Sequence, residues 1–323
     1  MKKFDYLRPK SLEEALTLLN QYRERAKLIA GGTDVMVMIK QKQIAPEVLI
    51  SLQEIQDLKQ IKYNGNLRIG SLVTHRMIEK SELIRKEFTA LSDAVDVLGS
   101  IQIRNVGTIG GNICTAAPSA DTVPPLLVLG AQVQLKSLKG ERVLPLDQLF
   151  LGPGETAIAQ GEILTEIFIP KPLPHTGSAY WKHQRRKALD LPILGVAVML
   201  SLDRSSVTCS DLICTSSPIS TVLHALEGEE VVCKEVRIAL GVAAPTPIRA
   251  VQAENLLRGK RLSDELLWEV AEMAAKEAQP RDTIRGEAWY RREMIRVFVK
   301  RMAMRCIERV LRPEETIFPE RLW

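Results

Sequence analysis

A chain of 323 residues has room for two or three domains, and its 46% hydrophobic content suffices to fill their cores. With 26% charged residues and a net charge of +5, it has neither the imbalance of a disordered chain nor the basic excess of a nucleic-acid binder. Aromatic content of 5% leaves little for base stacking, and five cysteines without regular spacing favour a reducing compartment over a disulfide framework. No apolar segment follows the charged start Met1-Lys2-Lys3, so no signal peptide is expected. The longest apolar run, Leu191 to Leu200, is about half the ~20 residues that cross a bilayer. A cytoplasmic protein without membrane or nucleic-acid partners is the expectation.

Ser11 caps a predicted helix with apolar positions Leu12, Ala15, Leu16 and Leu19, and Glu14 completes a capping box. A strand, Lys27 to Ala30, runs into the pair Gly31-Gly32 and then a helix from Asp34 to Lys40. Val48 to Leu52 reads as a buried strand. Ile61–Tyr63 and Leu67–Gly70 form a hairpin about Asn64-Gly65. Thr74 caps the next helix, and a longer one covers Phe88 to Leu98. The stretch Gly107 to Ile113 is a second glycine-rich loop. Beyond it come a buried helix (Pro124 to Gly130), a strand (Gln132 to Lys136), a turn at Lys139-Gly140, a loop tip at residues 152–154 and a strand (Glu162 to Ile169).

Pro170, Pro172 and Pro174 resist helix and central strand alike, which places a boundary there. The predicted division is 1–57, 58–174 and 175–323. The last unit carries strands at Val196–Leu202, Val207–Cys214 and Arg237–Val242, and helices at Ser220–Leu226, Ala250–Leu257, Ser263–Ala278 and Glu287–Leu311. Ile295, Phe298, Met302 and Cys306 form the apolar stripe of the last helix.

Chemistry concentrates at the two glycine pairs. Either is a tight turn or a nest of backbone N–H groups that receives an anion, since glycine admits phosphate without a Cβ in the way. No G-x-G-x-x-G and no P-loop occurs, so neither single-loop nucleotide fold is indicated. Cys114 reads as a small buried side chain rather than a redox thiol, because no resolving cysteine lies near. Cys209 and Cys214 would face opposite sides of a strand, and Cys233 and Cys306 are scattered. His75, His175, His183 and His224 also lack ligand spacing, so no metal site and no catalytic residue is expected. Arg185, Arg186 and Lys187 read as solvated. From Arg281 to Arg312 ten Lys/Arg face four Asp/Glu, which fits a solvated helix face or a docking face.

The stretches Lys27 to Asp34, Ile101 to Cys114, Ser119-Ala120-Asp121, Glu162-Ile163-Leu164, Gly177 to Lys182 and Gly241 to Arg249 occur in one order along nearly the whole chain. In this the sequence resembles the FAD-carrying medium subunits of the xanthine dehydrogenase, or molybdenum hydroxylase, family, most of all the bacterial xanthine dehydrogenase ones. The resemblance implies an α+β protein. A two-part FAD-binding unit like that of vanillyl-alcohol oxidase (the PCMH type) would precede an α/β domain of the CO dehydrogenase flavoprotein type. FAD would lie in the cleft between them. Leu28, Ile29, Ala30, Gly31, Gly32, Thr33, Asp34 and Val35, with Thr108, Ile109, Gly110, Gly111 and Asn112, would line its diphosphate and ribityl chain. Asp121 would hydrogen-bond its polar arm. Leu164 and Lys182 would sit by the isoalloxazine, with Leu98 as a further contact, and Lys182 would stabilise the reduced ring by its charge. Leu191 stands where some relatives have an aromatic residue.

The same resemblance implies an electron-transfer oxidoreductase subunit. Its partners would be an iron–sulfur small subunit with 2Fe-2S clusters and a molybdopterin large subunit, in a dimer of heterotrimers. The acceptor would be NAD+ or another carrier. A purine or other N-heterocycle leads among substrates, with carbon monoxide, nicotinate, aldehydes and aromatic acyl-CoA compounds also in range. A free-standing flavin oxidoreductase of the same fold superfamily, or a scaffold without cofactor, are the rival readings.

Overall fold

Among the described residues three main sheets follow one another along the chain, with a separate two-stranded hairpin. A computed structural model describes residues 2–186, 188–203 and 231–311. In the first sheet β1 (Asp5–Leu7), β2 (Ala26–Ile29) and β3 (Val48–Ser51) are parallel with β3 in the centre. Residues of β3 alternate between two cores, as a strand covered on both faces must. Val48 and Ile50 meet Ala15, Leu16 and Leu19 of α1 (Leu12–Tyr22), while Leu49 meets Ile29 and Ile39 of α2 (Val35–Lys40). The Ser11 cap forms, accepting from the Glu14 amide at 3.1 Å. Glu14 returns the contact to the amide of Lys10, one residue before the expected Ser11.

The second sheet is antiparallel. Strands β4 (Ile61–Tyr63) and β5 (Leu67–Gly70) form the expected hairpin, with three connecting residues since Tyr63 pairs with Leu67. Six short helices follow: α3 (His75–Lys80), α4 (Glu82–Glu87), α5 (Thr89–Asp96), α6 (Ile101–Val106), α7 (Ile109–Cys114) and α8 (Val123–Val128). The helix expected from Phe88 is α5, which starts one residue later because Phe88 closes α4 instead. Then come β6 (Gln132–Ser137), β7 (Gly140–Pro145), a small hairpin of β8 (Phe150–Gly152) and β9 (Glu155–Thr156), and β10 (Ile163–Ile169). The order is β4-β5-β10-β6-β7.

The third sheet, β11 (Thr176–His183), β12 (Leu194–Asp203), β13 (Val232–Gly241) and β14 (Ile248–Arg249), is antiparallel and carries α9 (Val251–Leu257), α10 (Asp264–Glu277) and α11 (Ala288–Leu311). The expected strand Val207–Cys214 and helix Ser220–Leu226 lie outside the described residues. Strand β12 explains the apolar run seen in the sequence. Val196, Val198 and Leu200 enter the core under α10 and α11, whereas Ala197 and Met199 enter the core of the second unit beside Leu91 and Leu126. Both faces are buried, so the run has no polar alternation.

Part of the basic tail is paired within the fold. Lys300 pairs with Asp264 at 2.7 Å and Arg296 with Glu272 at 2.8 Å. Arg309, buried, donates twice to Asp93 of α5 at 2.7 and 2.8 Å and also to the carbonyl of Ser178. Asp93 in turn accepts from the Tyr180 amide at 3.0 Å, so one ion pair ties α11, α5 and β11 together. Neither a wholly solvated nor a wholly free docking face describes this helix. Arg309→Met should lower stability by about 3–5 kcal/mol, because it leaves Asp93 without its charge partner in a dry interface. Urea unfolding checks this, and a loss under about 1 kcal/mol would contradict it.

Candidate functional site

Strand β2 leaves its sheet at Ala30, and the pair Gly31-Gly32 turns the chain into α2. Some seventy residues later, Gly107 and Thr108 turn α6 into α7. These two turns touch. A Cβ on Gly31 would stand 1.9 Å from the carbonyl oxygen of Val106, and one on Gly110 would stand 2.6 Å from that of Ser71. Only glycine permits either approach. Thr115 beyond α7 also hydrogen-bonds Asp34 of the first loop, at 3.4 Å.

The joined loops form one wall of a cleft of about 730 Å³, within the ~300–1,000 Å³ usual for ligand sites. Of the residues expected there, Leu28, Ala30, Gly31, Gly32, Thr33, Asp34, Val35, Leu98, Thr108, Gly110, Gly111, Asn112, Asp121, Leu164 and Lys182 all line it. Ile29 and Ile109 do not. Their side chains are buried in the cores behind each loop, as an alternating strand residue and the first residue of a packed helix would be.

The two loops differ in what they can donate. In the second, the amides of Ile109, Gly110 and Asn112 bond to carbonyls of Val73, Ser71 and Thr108 at 3.0 Å each, and that of Gly111 to the Thr108 hydroxyl at 3.1 Å. In the first, the amides of Gly31, Gly32, Thr33 and Asp34 have no acceptor among the described residues. Of the two alternatives for each glycine pair, the first loop keeps the free N–H donors of a nest, and the second is a turn that contributes close backbone approach.

Two polar atoms missed in the sequence join this wall. The Ser71 hydroxyl and His75 Nδ1 are buried and have no hydrogen-bond partner among the described residues, although both residues line the cleft. Such atoms call for a polar ligand or water. Burial, helped by the Arg104 guanidinium, lowers the His75 pKa to about 4. The imidazole is neutral at physiological pH. No spacing signal could have singled out either residue, since Ser71 and His75 reach the cleft only through the β5–α3 connection.

The opposite wall holds a buried ion pair. Lys182 Nζ lies 2.8 Å from Asp121 Oδ2 and 3.3 Å from the Val97 carbonyl, and the Tyr180 hydroxyl donates to Asp121 Oδ1 at 3.0 Å. The lysine and aspartate side chains are 1% and 7% exposed. Burial pushes the Asp121 carboxyl up, while the ammonium and the phenol pull it back. Lys182 is thus no lone cation. Arg104, tied to Glu79 at 2.9 Å, donates at 2.9 Å to the carbonyl of Leu98 and fixes that residue's turn. Leu164 enters the cleft at a bulge in β10, where the register shifts before Glu166. At the rim lie Leu189, Asp190 and Leu191, the last half-exposed. Among the described residues no Phe, Tyr or Trp side chain lines the cleft.

Cys114 is exposed to the cleft, not buried as expected, because the last turn of α7 faces the opening. His183 Nε2 is hydrogen-bonded to the Tyr290 hydroxyl at 2.9 Å, and Arg185 and Arg186 are exposed as expected, their amides donating to Asp190. Lys187, Cys209, Cys214 and His224 lie outside the described residues. Among the described residues no three His, Cys, Asp or Glu gather as metal ligands.

The depressed His75 value has a consequence with a definite sign. An unfolded chain takes up the imidazole proton near pH 6.5, the folded one only near pH 4, so stability is full above pH 6.5 and falls as pH drops through this window. His75→Gln should reduce the stability lost between about pH 7 and about pH 5 by roughly 2 kcal/mol relative to the parent, measured by urea unfolding. An unchanged acid slope would contradict a neutral buried imidazole.

Comparison with known proteins agrees with this geometry. Residues 2–172 match the family described as the FAD binding domain in molybdopterin dehydrogenase, and residues 179–306 the CO dehydrogenase flavoprotein C-terminal domain. The chain is 30% identical to the xanthine dehydrogenase FAD-binding subunit of Escherichia coli O157:H7, over 94% of this chain and 95% of that one. It is 38% identical to the nicotinate dehydrogenase FAD-subunit of Eubacterium barkeri, over 64% of this chain and 72% of that one. The solved carbon monoxide dehydrogenase of Hydrogenophaga pseudoflava contains a chain that superposes with a TM-score of 0.84 at 30% identity, covering 95% of this chain and 98% of its own. With two glycine loops meeting on one cleft and both domains matched in order, the chain belongs to the FAD-binding flavoprotein subunits of the molybdopterin dehydrogenase, or molybdenum hydroxylase, family of oxidoreductases.

Proposed function

We propose that this chain is the electron-exit subunit of a molybdenum hydroxylase. Electrons would arrive singly from 2Fe-2S clusters on an iron–sulfur small subunit, after substrate oxidation on a molybdopterin large subunit. They would leave to NAD+ or another acceptor. FAD supplies the chemistry that joins single-electron arrival to pairwise departure. A purine or other N-heterocycle is the proposed substrate of the large subunit, supported by the likeness to xanthine and nicotinate dehydrogenase subunits. A dimer of heterotrimers in the cytoplasm is the proposed assembly. Among the described residues no helix is long and apolar enough to cross a membrane. The proposed divisions are 1–57, 58–174 and 175–323, supported by three sheets that span residues 5–51, 61–169 and 176–249.

The residues present fit the cofactor. Free amides of Gly31, Gly32, Thr33 and Asp34 suit a diphosphate, which needs N–H donors more than cations. The Ser71 hydroxyl, buried without a partner, offers one more bond. We assign the cofactor wall to Leu28 to Val35, Thr108 to Asn112, Leu98, Asp121, Leu164 and Lys182, with Ile29 and Ile109 acting from behind by fixing the loop backbones. Leu189 and Leu191 cover the mouth where an aromatic side chain is lacking. These side chains bind, orient and exclude water; none is placed to move a proton in the redox step.

One observation carries the reading: the approach of Gly31 to Val106, which makes a single site of two loops. Gly31→Ala should weaken FAD retention at least tenfold, about 1.4 kcal/mol, read from flavin absorbance after gel filtration. Ser71→Ala should weaken it less. Full retention in Gly31→Ala would overturn the assignment. The rival reading, a free-standing flavin enzyme, predicts a protein that purifies alone with full turnover. Copurification of an iron–sulfur chain and a molybdopterin chain is the expected result.

A further inference from the structure

Among the described residues eight charged side chains line the cleft, and their settings differ. Arg23, Glu24, Lys27 and Asp34 are exposed, so water and salt screen them. Glu162 is taken by Arg142 at 2.7 Å, and Asp190 by three amides of its own loop. Asp121 and Lys182 alone among these are bonded to each other out of water. Their charges reach the cleft contents through protein, where screening is weak. Reduction adds negative charge to those contents. A bare ammonium in the wall would favour that step strongly, its potential falling only as the inverse of distance. A carboxylate 2.8 Å from the ammonium turns the source into a dipole, whose potential falls faster.

The geometry holds this dipole in a fixed orientation. Lys182 and Tyr180 are two apart on β11 and share a face, so both reach Asp121. The Val97 carbonyl after α5 takes a third contact from the ammonium. Gly195, paired with Lys182 across β11 and β12, leaves room for the phenol: a Cβ there would stand 2.8 Å from the Tyr180 hydroxyl.

We propose that Asp121 is the counter-charge to Lys182 in the cleft wall, that Tyr180 is its positioning residue, and that this compensated pair sets the reduction potential of the FAD bound there. This rests on the reading of the cleft as the FAD site. Asp121 then acts on the cofactor mainly through Lys182, with its hydrogen-bonding oxygens already engaged by the protein.

The test uses the full-length chain loaded with FAD and an equilibrium reductive titration against a reference dye, with Asp121→Asn, Lys182→Met, the double variant and Tyr180→Phe. Asp121→Asn should move the potential up, Lys182→Met should move it down, and the double variant should return between them. Tyr180→Phe, which keeps both charges and the packing, should give a smaller shift than either charge variant. Shifts of one sign in both single variants, or no shift in Asp121→Asn, would overturn the compensation, since a merely structural role loosens FAD without opposite signs. Should either single variant fail to fold, the double variant and Tyr180→Phe decide: a potential in the double variant far from the parent value, or a Tyr180→Phe shift as large as that of the remaining charge variant, would overturn it. A parent protein that takes up no FAD fails at the earlier reading and takes this inference with it.

Discussion

Backbone packed on backbone at Gly31 and Val106 is the contact on which the cleft depends. A methyl group on Gly31 would overlap the Val106 carbonyl, so the end of β2 and the end of α6 can meet only because one side chain is missing. Gly110 repeats the device against Ser71. From that approach follow the position of both loops in one wall and, through Gly110, the seat of α7 against Ser71. The second loop uses its own amides to hold this arrangement, through Val73, Ser71 and Thr108. One loop is thus the frame and the other the donor.

Strand β11 serves the opposite wall in a similar way. Its Ser178 carbonyl receives Arg309, its Tyr180 amide donates to Asp93, and its Tyr180 and Lys182 side chains hold Asp121. Two buried ion pairs therefore fix one strand to α5 and to the turn before α8. Buried pairs add little net stability, but their geometry is demanding. Here that demand holds Tyr180, Lys182 and Asp121 in one arrangement in the cleft wall. The two-sided burial of β12 contributes the apolar part of the same attachment.

Local signals were read well where local physics rules. The Ser11 and Thr74 caps, the Asn64 hairpin and the apolar stripe of α11 all formed, because each rests on neighbours a few residues apart. Strand β11 was legible only as a familiar motif. Its Gly177 and Ser178 have weak strand preference, and pairing with β12 over eight residues overrides it. Gly177 is there for α11, since a Cβ would stand 2.1 Å from the Cys306 carbonyl. Helix α6 escaped notice because Ile101, Ile103 and Val106 are exposed and so show no core-facing stripe.

The glycine pairs, the proline boundary and the order of motifs belong to the sequence, and with them the flavin-binding family. Which amides stay free, that Lys182 has a carboxylate beside it, that Cys114 faces the cleft and that Ser71 and His75 lack partners were decided by tertiary structure. The physical reason is range. Periodicity and capping report what a residue does with neighbours three or four positions away, whereas the state of many donors and charges in this cleft depends on groups far away in the chain, such as Ser71 for Gly110 and Asp121 for Lys182.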